Sequence, residues 1–164
     1  MRTPAMFAGA LACVAGLSLL SDQVWAEHPG MVFQKGLYRM EGPCGDLRKH
    51  GSDAASACQP YVGVLVKEHD KPAFMFFDES GGMLAFRSPG QPTYTDDNNR
   101  ATYPVEDVLN GVDELVYNCS GECTVTSVPA QGVHVTCTTW TPKDRDKVCF
   151  SARVEGNGMW SYQP

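Results

Sequence analysis

Residues 115–154 read L-V-Y-N-C-S-G-E-C-T-V-T-S-V-P-A-Q-G-V-H-V-T-C-T-T-W-T-P-K-D-R-D-K-V-C-F-S-A-R-V, and this stretch decides the fold class. Short runs rich in Val, Thr and aromatic residues place apolar side chains at alternate positions. Ser-Gly, Pro-Ala-Gln-Gly and Pro-Lys-Asp interrupt these runs. Alternating runs separated by turn residues are typical of antiparallel hairpins. The stretch therefore predicts a β-meander onto which the rest of the chain folds.

The turn between two of these runs determines which cysteines face each other. If Pro-Ala-Gln-Gly sets Val125 opposite Val135, it also sets Cys123 opposite Cys137. Cα atoms directly opposite one another in an antiparallel pair are about 4.5–5.5 Å apart, which is within the range that a disulfide spans. The register therefore predicts a bond between Cys123 and Cys137.

The next hairpin places Cys149 differently. Its best hydrophobic match sets Phe150 opposite Cys137 and turns Cys149 to the other face of the sheet. The same register sets Ala152 opposite Val135, and a one-residue slip would turn these apolar side chains outward. The predicted bonds are Cys44–Cys58, Cys123–Cys137 and Cys119–Cys149, and the alternative set is Cys44–Cys58, Cys119–Cys123 and Cys137–Cys149.

The N-terminus indicates export. Residues 1–26 have the features of a secretory signal peptide, with a basic Arg2, an uncharged and mostly apolar run, and a small-x-Ala-like end at Ala26. The apolar run covers residues 6–20, which is short of the roughly 20 residues that a membrane span needs. A retained anchor helix is one alternative. A lipoprotein modified on Cys13 is another, but the apolar run continues past that cysteine.

Cleavage after Ala26 leaves 138 of the 164 residues, which is enough for a single domain over residues 27–164. Six cysteines remain, and an even number in an exported chain is typical of a disulfide framework. The alternatives are free buried thiols or a zinc site. Because no His pair lies at zinc-site spacing, we expect neither a metal nor another cofactor.

The charge of the mature chain limits its partners. Loss of Arg2 and Asp22 keeps the formal net charge at −6. The chain has no basic stripe that would follow a phosphate backbone, so we expect no nucleic acid partner. No later segment is apolar enough to span a membrane, and we expect no span in the mature chain. Long-range attraction favours a protein partner with a basic surface.

Further strands are predicted at residues 36–41, 61–67, 73–78, 83–87 and 159–163. The run at 73–78, A-F-M-F-F-D, is almost wholly apolar, which predicts burial on both of its faces.

Two segments are predicted to lack strands. Residues 52–57, between Cys44 and Cys58, predict a short helix, and residues 88–111 predict an irregular stretch with helical turns at 105–109. The expected fold is all-β, a single antiparallel β-barrel or sandwich of about eight to ten short strands with one small disulfide-tied helix.

Three classes of function are compatible with these features. The first is a secreted or periplasmic non-enzymatic binding protein, such as an inhibitor or immunity-type protein for a basic extracytoplasmic enzyme. The second is a carrier of a small apolar ligand in a barrel cavity lined by phenylalanines. The third is a hydrolase using His50, His69 or His134, but no nucleophile lies at a recognisable spacing from them. We therefore expect a binding protein and not an enzyme.

The predicted contact surface is the stretch at residues 89–107. Its tyrosines offer large areas with few rotatable bonds, and its carboxylates outnumber Arg100, so it would attract a basic partner. The predicted partner-binding residues are Tyr94, Asp96, Asp97, Tyr103, Glu106 and Asp107. The alternative is a solvated acidic loop whose tyrosines fold back onto the core.

Overall fold

The computed structural model describes residues 33–50, 52, 54–67, 71–94, 99–111 and 115–164, apart from the side chains of Tyr94, Arg145 and Asp146. The predicted signal peptide, residues 1–26, lies outside them. Within the described ranges, no helix has the length and apolarity needed to cross a membrane.

Thirteen strands form in the described part of the chain. They are β1 (Gly36–Glu41), β2 (Cys44–Arg48), β3 (Tyr61–Val66), β4 (Pro72–Phe77), β5 (Met83–Arg87), β6 (Thr93–Tyr94), β7 (Arg100–Val105), β8 (Asp107–Asn110), β9 (Leu115–Tyr117), β10 (Ser120–Val128), β11 (Gly132–Thr141), β12 (Asp144–Gly156) and β13 (Trp160–Gln163).

The strands form two open antiparallel sheets and not a closed barrel. The seven-stranded sheet has the order β13-β1-β3-β4-β5-β8-β9, and the six-stranded sheet has the order β2-β12-β11-β10-β7-β6. The all-β prediction is confirmed. The strand count is higher than predicted, mainly because β6, β7 and β8 occupy the stretch expected to be irregular.

One hydrophobic core takes side chains from both sheets. Successive side chains of a strand point to opposite faces, so alternate residues of β4 and β11 are buried. The ring of Phe74 on β4 lies 5.0 Å from that of Tyr103 on β7, and Phe33 packs against both. Phe76 and Phe86, two of the phenylalanines expected to line a barrel cavity, pack edge to face at 5.7 Å and are almost fully buried.

Neither predicted helical segment is helical among the described residues. Ser52 and residues 54–57 are irregular, so the small helix is not confirmed. The helical turns expected at 105–109 are wrong, because Val105 ends β7 and Asp107 begins β8. Pro104 lies in β7 beyond the end of the short partner strand β6. Its missing N–H therefore removes no inter-strand hydrogen bond to β6.

The cysteines pair as the first predicted set states. The pairs Cys44–Cys58, Cys119–Cys149 and Cys123–Cys137 lie at disulfide distance. Three such pairs are typical of proteins that fold in an oxidising, extracytoplasmic compartment.

The register of the β11–β12 hairpin differs from the prediction. Cys137 lies opposite Ala152 and not Phe150, a shift of two residues that keeps the same faces inward. Irregularities between Thr139 and Thr141 absorb the extra residues of β12. A β-bulge of this kind is invisible to a hydrophobic match, because a two-residue shift preserves the alternation.

Candidate functional site

Tyr103 is not part of a contact surface. Its side chain is only 1% exposed and packs into the shared core. The alternation of β7 buries Ala101, Tyr103 and Val105 together, so a strand replaces the loop that would have exposed the tyrosine. The prediction that Tyr103 is a surface contact is therefore wrong.

The other predicted contact residues are spread over different settings. Asp107 accepts two hydrogen bonds from the guanidinium of Arg87, one of them 2.6 Å long from Nη2, and this pairing raises the pKa of Arg87. Glu106 is exposed beside it. Tyr94 lies in β6, with its side chain outside the described part, and Asp96 and Asp97 lie outside the described residues altogether. Their role in binding stays a prediction.

An apolar surface lies instead on the outer face of the seven-stranded sheet. In register across β3, β4 and β5, Gly63 lies opposite Met75, and Met75 lies opposite Ala85. The row continues to Leu109 on β8 and Val116 on β9. On one side of this row, Leu65 on β3 lies opposite Ala73 on β4. On the other side of the row lies Met83, two residues before Ala85 on β5. We call the set Leu65, Ala73, Met75, Met83, Ala85 and Leu109 the apolar groove.

The outer face of the six-stranded sheet has the opposite character. Thr102, Thr124 and Thr136 lie in one row across β7, β10 and β11, and Arg153 follows on β12. Ion pairs such as Arg153–Glu155 lie on the same face. A polar face of this kind is the usual solvated side of an antiparallel sheet. The contrast marks the apolar groove as the unusual surface of the described fold.

The groove encloses about 750 Å³, within the range of small-molecule sites. Small residues form its floor, since Ala85 is only 4% exposed, and a Cβ on Gly63 would lie 3.0 Å from Cε of Met75. Met75 and Met83 supply flexible, polarisable walls that adapt to different apolar shapes. The lining is thus concave, apolar and able to adjust.

The groove was missed in the sequence because the run at 73–78 suggested burial on both faces. In the fold, Pro72, Phe74 and Phe76 face the core, and the alternate residues of β4 are only partly buried. An antiparallel sheet normally has one solvated face, so a continuous apolar run within hairpins signals an apolar outer face. That signal was present in the neighbouring runs A-F-M-F-F and M-L-A-F.

A buried carboxylate anchors the turn between β4 and β5, the two central strands of the groove. Asp78 accepts hydrogen bonds from Lys49 Nζ, from Ser80 Oγ at 2.6 Å and from the Gly82 N–H at 2.7 Å. Burial raises the pKa of Asp78, but these hydrogen bonds outweigh burial and lower it to about 2. The contacts hold Gly82, which directly precedes Met83 at the start of β5.

The two described histidines lie in different settings. Nδ1 of His50 lies 3.4 Å from Sγ of Cys149, and its ring packs against Tyr117 and Phe150. His134 lies opposite Glu155 on the polar face of the six-stranded sheet. His69 lies outside the described part. Within that part, no group of three His, Cys, Asp or Glu side chains is placed to hold a metal ion.

Comparison of the chain with protein-family models, curated proteins and solved structures finds no match. The fold and its surfaces therefore carry the functional inference.

Proposed function

We propose that the protein is an exported, non-enzymatic binding protein and that the apolar groove is its binding site. The supporting observation is a continuous apolar patch on the outer face of β3, β4, β5 and β8, over a groove of about 750 Å³. A contiguous apolar patch in a concave site with a few polar groups at its edge is often a binding surface. The six cysteines of the described residues, paired in three disulfides, support the exported location.

The test uses an apolar fluorescent dye of the anilinonaphthalene type. Met75→Glu places a charge in the middle of the groove. Thr136→Glu is the matched control, because Thr136 occupies a partly buried, central position on the outer face of the other sheet. We expect the parent and the control to bind the dye alike, and Met75→Glu to bind it at least about tenfold more weakly.

Thermal melts of both variants separate binding from folding. Ala85→Leu is a second test without added charge, because the larger side chain fills the floor of the groove. The proposal fails if the folded parent does not bind the dye, or if Thr136→Glu weakens dye binding as much as Met75→Glu does.

A second candidate function is the inhibition of a basic extracytoplasmic enzyme through the predicted contact surface at residues 89–107. The formal net charge of −6 and the exposed Glu106 favour it. If this holds, Asp96→Asn with Asp97→Asn should slow association with a basic lysozyme used as a probe and flatten the salt dependence of the rate. Equal rates for parent and variant would remove this candidate.

A further inference from the structure

One end of the apolar groove carries two lysines. Lys67 directly follows β3, two residues beyond Leu65, and Lys71 directly precedes β4, two residues before Ala73. By the two-residue period of a strand, each points to the same side as the groove residue nearest to it. Both side chains line the groove and are exposed, and neither forms an ion pair with a described residue.

The remaining charges at this end lie on β5 and β8, and Arg87 on β5 lies directly opposite Ala73. Arg87 and Asp107 neutralise each other through their two hydrogen bonds. Glu106 lies next to Asp107 on the β8 side, two strands away from Lys71 on β4. Among the described residues, the β3–β4 corner is therefore the cationic part of the groove. The loop between the lysines, residues 68–70, lies outside the described part.

The size of the groove favours a small ligand. Its lining runs from Lys71 to Met75 along β4, about 13 Å, and across the four strands β3, β4, β5 and β8, about 14 Å. The resulting floor of roughly 200 Å² is well below the roughly 800 Å² that each partner buries in a standard protein interface. A single apolar chain covers such a floor.

We propose that the groove binds the acyl chain of a free fatty acid, with its carboxylate held between Lys67 and Lys71. The chain lies over Ala73, Met75 and Ala85, where burial of each methylene is favourable. The exposed ammonium groups favour an anionic head over a neutral or cationic one. This inference rests on the proposed function, because it names the ligand of the same site.

The test compares ligands that share a chain and differ in head charge. Dodecanoate and dodecyltrimethylammonium are titrated into the full mature protein by calorimetry, below their micelle concentrations and with the fold checked by circular dichroism. We expect dodecanoate to bind on the order of tenfold more tightly. Octanoate and decanoate should bind progressively more weakly than dodecanoate, because each lost methylene removes buried apolar area.

Two double variants test whether Lys67 and Lys71 bind the carboxylate. Lys67→Gln with Lys71→Gln should abolish the preference for the anion while leaving the effect of chain length. Lys143→Gln with Lys147→Gln removes the same charge from the exposed end of the β11–β12 hairpin and should leave the preference intact. Equal loss of the preference in both pairs would show a nonspecific charge effect and overturn the inference.

The outcomes separate this inference from the proposed function. If both ligands bind equally well and Met75→Glu weakens both, the groove is a binding site but the fatty-acid inference is wrong. If dodecanoate binds and Met75→Glu leaves its affinity unchanged, the ligand lies elsewhere and the inference is also wrong. If neither the ligands nor the apolar dye bind the folded parent, both proposals fail.

Discussion

Cys123 lies directly opposite Cys137 in the register of β10 and β11, and both side chains are fully buried. The bond between them therefore crosses neighbouring strands at the centre of the six-stranded sheet. It joins residues 14 apart in sequence, so it closes a hairpin that the β ladder already holds.

The first prediction concerns the loss of this bond. Cys123→Ala with Cys137→Ala should lower the free energy of unfolding by about 3 kcal/mol, because an uncrosslinked loop of this length gains conformational freedom when unfolded. Urea denaturation measures the change. Thr126→Ala, an outward-facing replacement in the same hairpin, is the control and should change stability by less than about 0.5 kcal/mol. An unchanged midpoint in the cysteine variant would contradict the prediction.

The second prediction concerns acid. The pKa of Asp78 is about 2 in the folded protein, below its ordinary 3.8. A carboxyl with a depressed folded pKa stabilises the fold above its unfolded pKa, and this stability is lost as pH falls toward the folded pKa. The shift corresponds to about 2 kcal/mol. The free energies of unfolding of parent and Asp78→Asn should therefore differ most near pH 5. This difference should shrink by about 2 kcal/mol near pH 2.

Chemical denaturation at several pH values measures this difference. Glu41→Gln is the control, since Glu41 forms an exposed pair with Arg39 and should contribute little at any pH. A gap between parent and Asp78→Asn that stays constant between about pH 5 and about pH 2 would show that Asp78 is not a paired carboxylate in the fold.

The bounds of β1 and β5 and the disulfide partners could be predicted from the sequence, because each depends on local alternation and turn residues. The strands β7 and β8 could not. Pro104 and the polar residues around it weaken the local strand signal, and pairing with β10 and β5 over long sequence separations overrides it. The groove could not be predicted either, because the face of β4 that meets solvent depends on how the two open sheets pack against each other.

The third prediction tests the placement of Tyr103. Tyr103→Ala should lower stability by about 3–5 kcal/mol, because it removes a fully buried ring that packs against Phe33 and Phe74. Glu106→Ala, three residues away and exposed, should change stability by less than about 0.5 kcal/mol. Thermal and urea unfolding provide both values. Near-equal effects of the two replacements on stability would contradict the burial of Tyr103.

The last prediction concerns the turn that sets the β10–β11 register. Gly132 has φ of 101°, and a Cβ there would lie 2.2 Å from the carbonyl oxygen of Gly156 on β12. An alanine would combine a disfavoured backbone conformation with a clash against backbone, which cannot rotate away. Gly81 has a φ of 86°, but no atom lies within 4 Å of its Cβ position, so Gly81→Ala carries the conformational cost alone, about 1–2 kcal/mol.

Gly90 completes this series, since its Cβ position is open. The stability loss should therefore rank Gly132→Ala above Gly81→Ala, with Gly90→Ala close to the parent. Urea midpoints of the three variants measure the order. If Gly132→Ala costs no more than Gly81→Ala, then β11 and β12 do not approach closely at Gly156, and the register that aligns Cys137 with Ala152 would have to be revised.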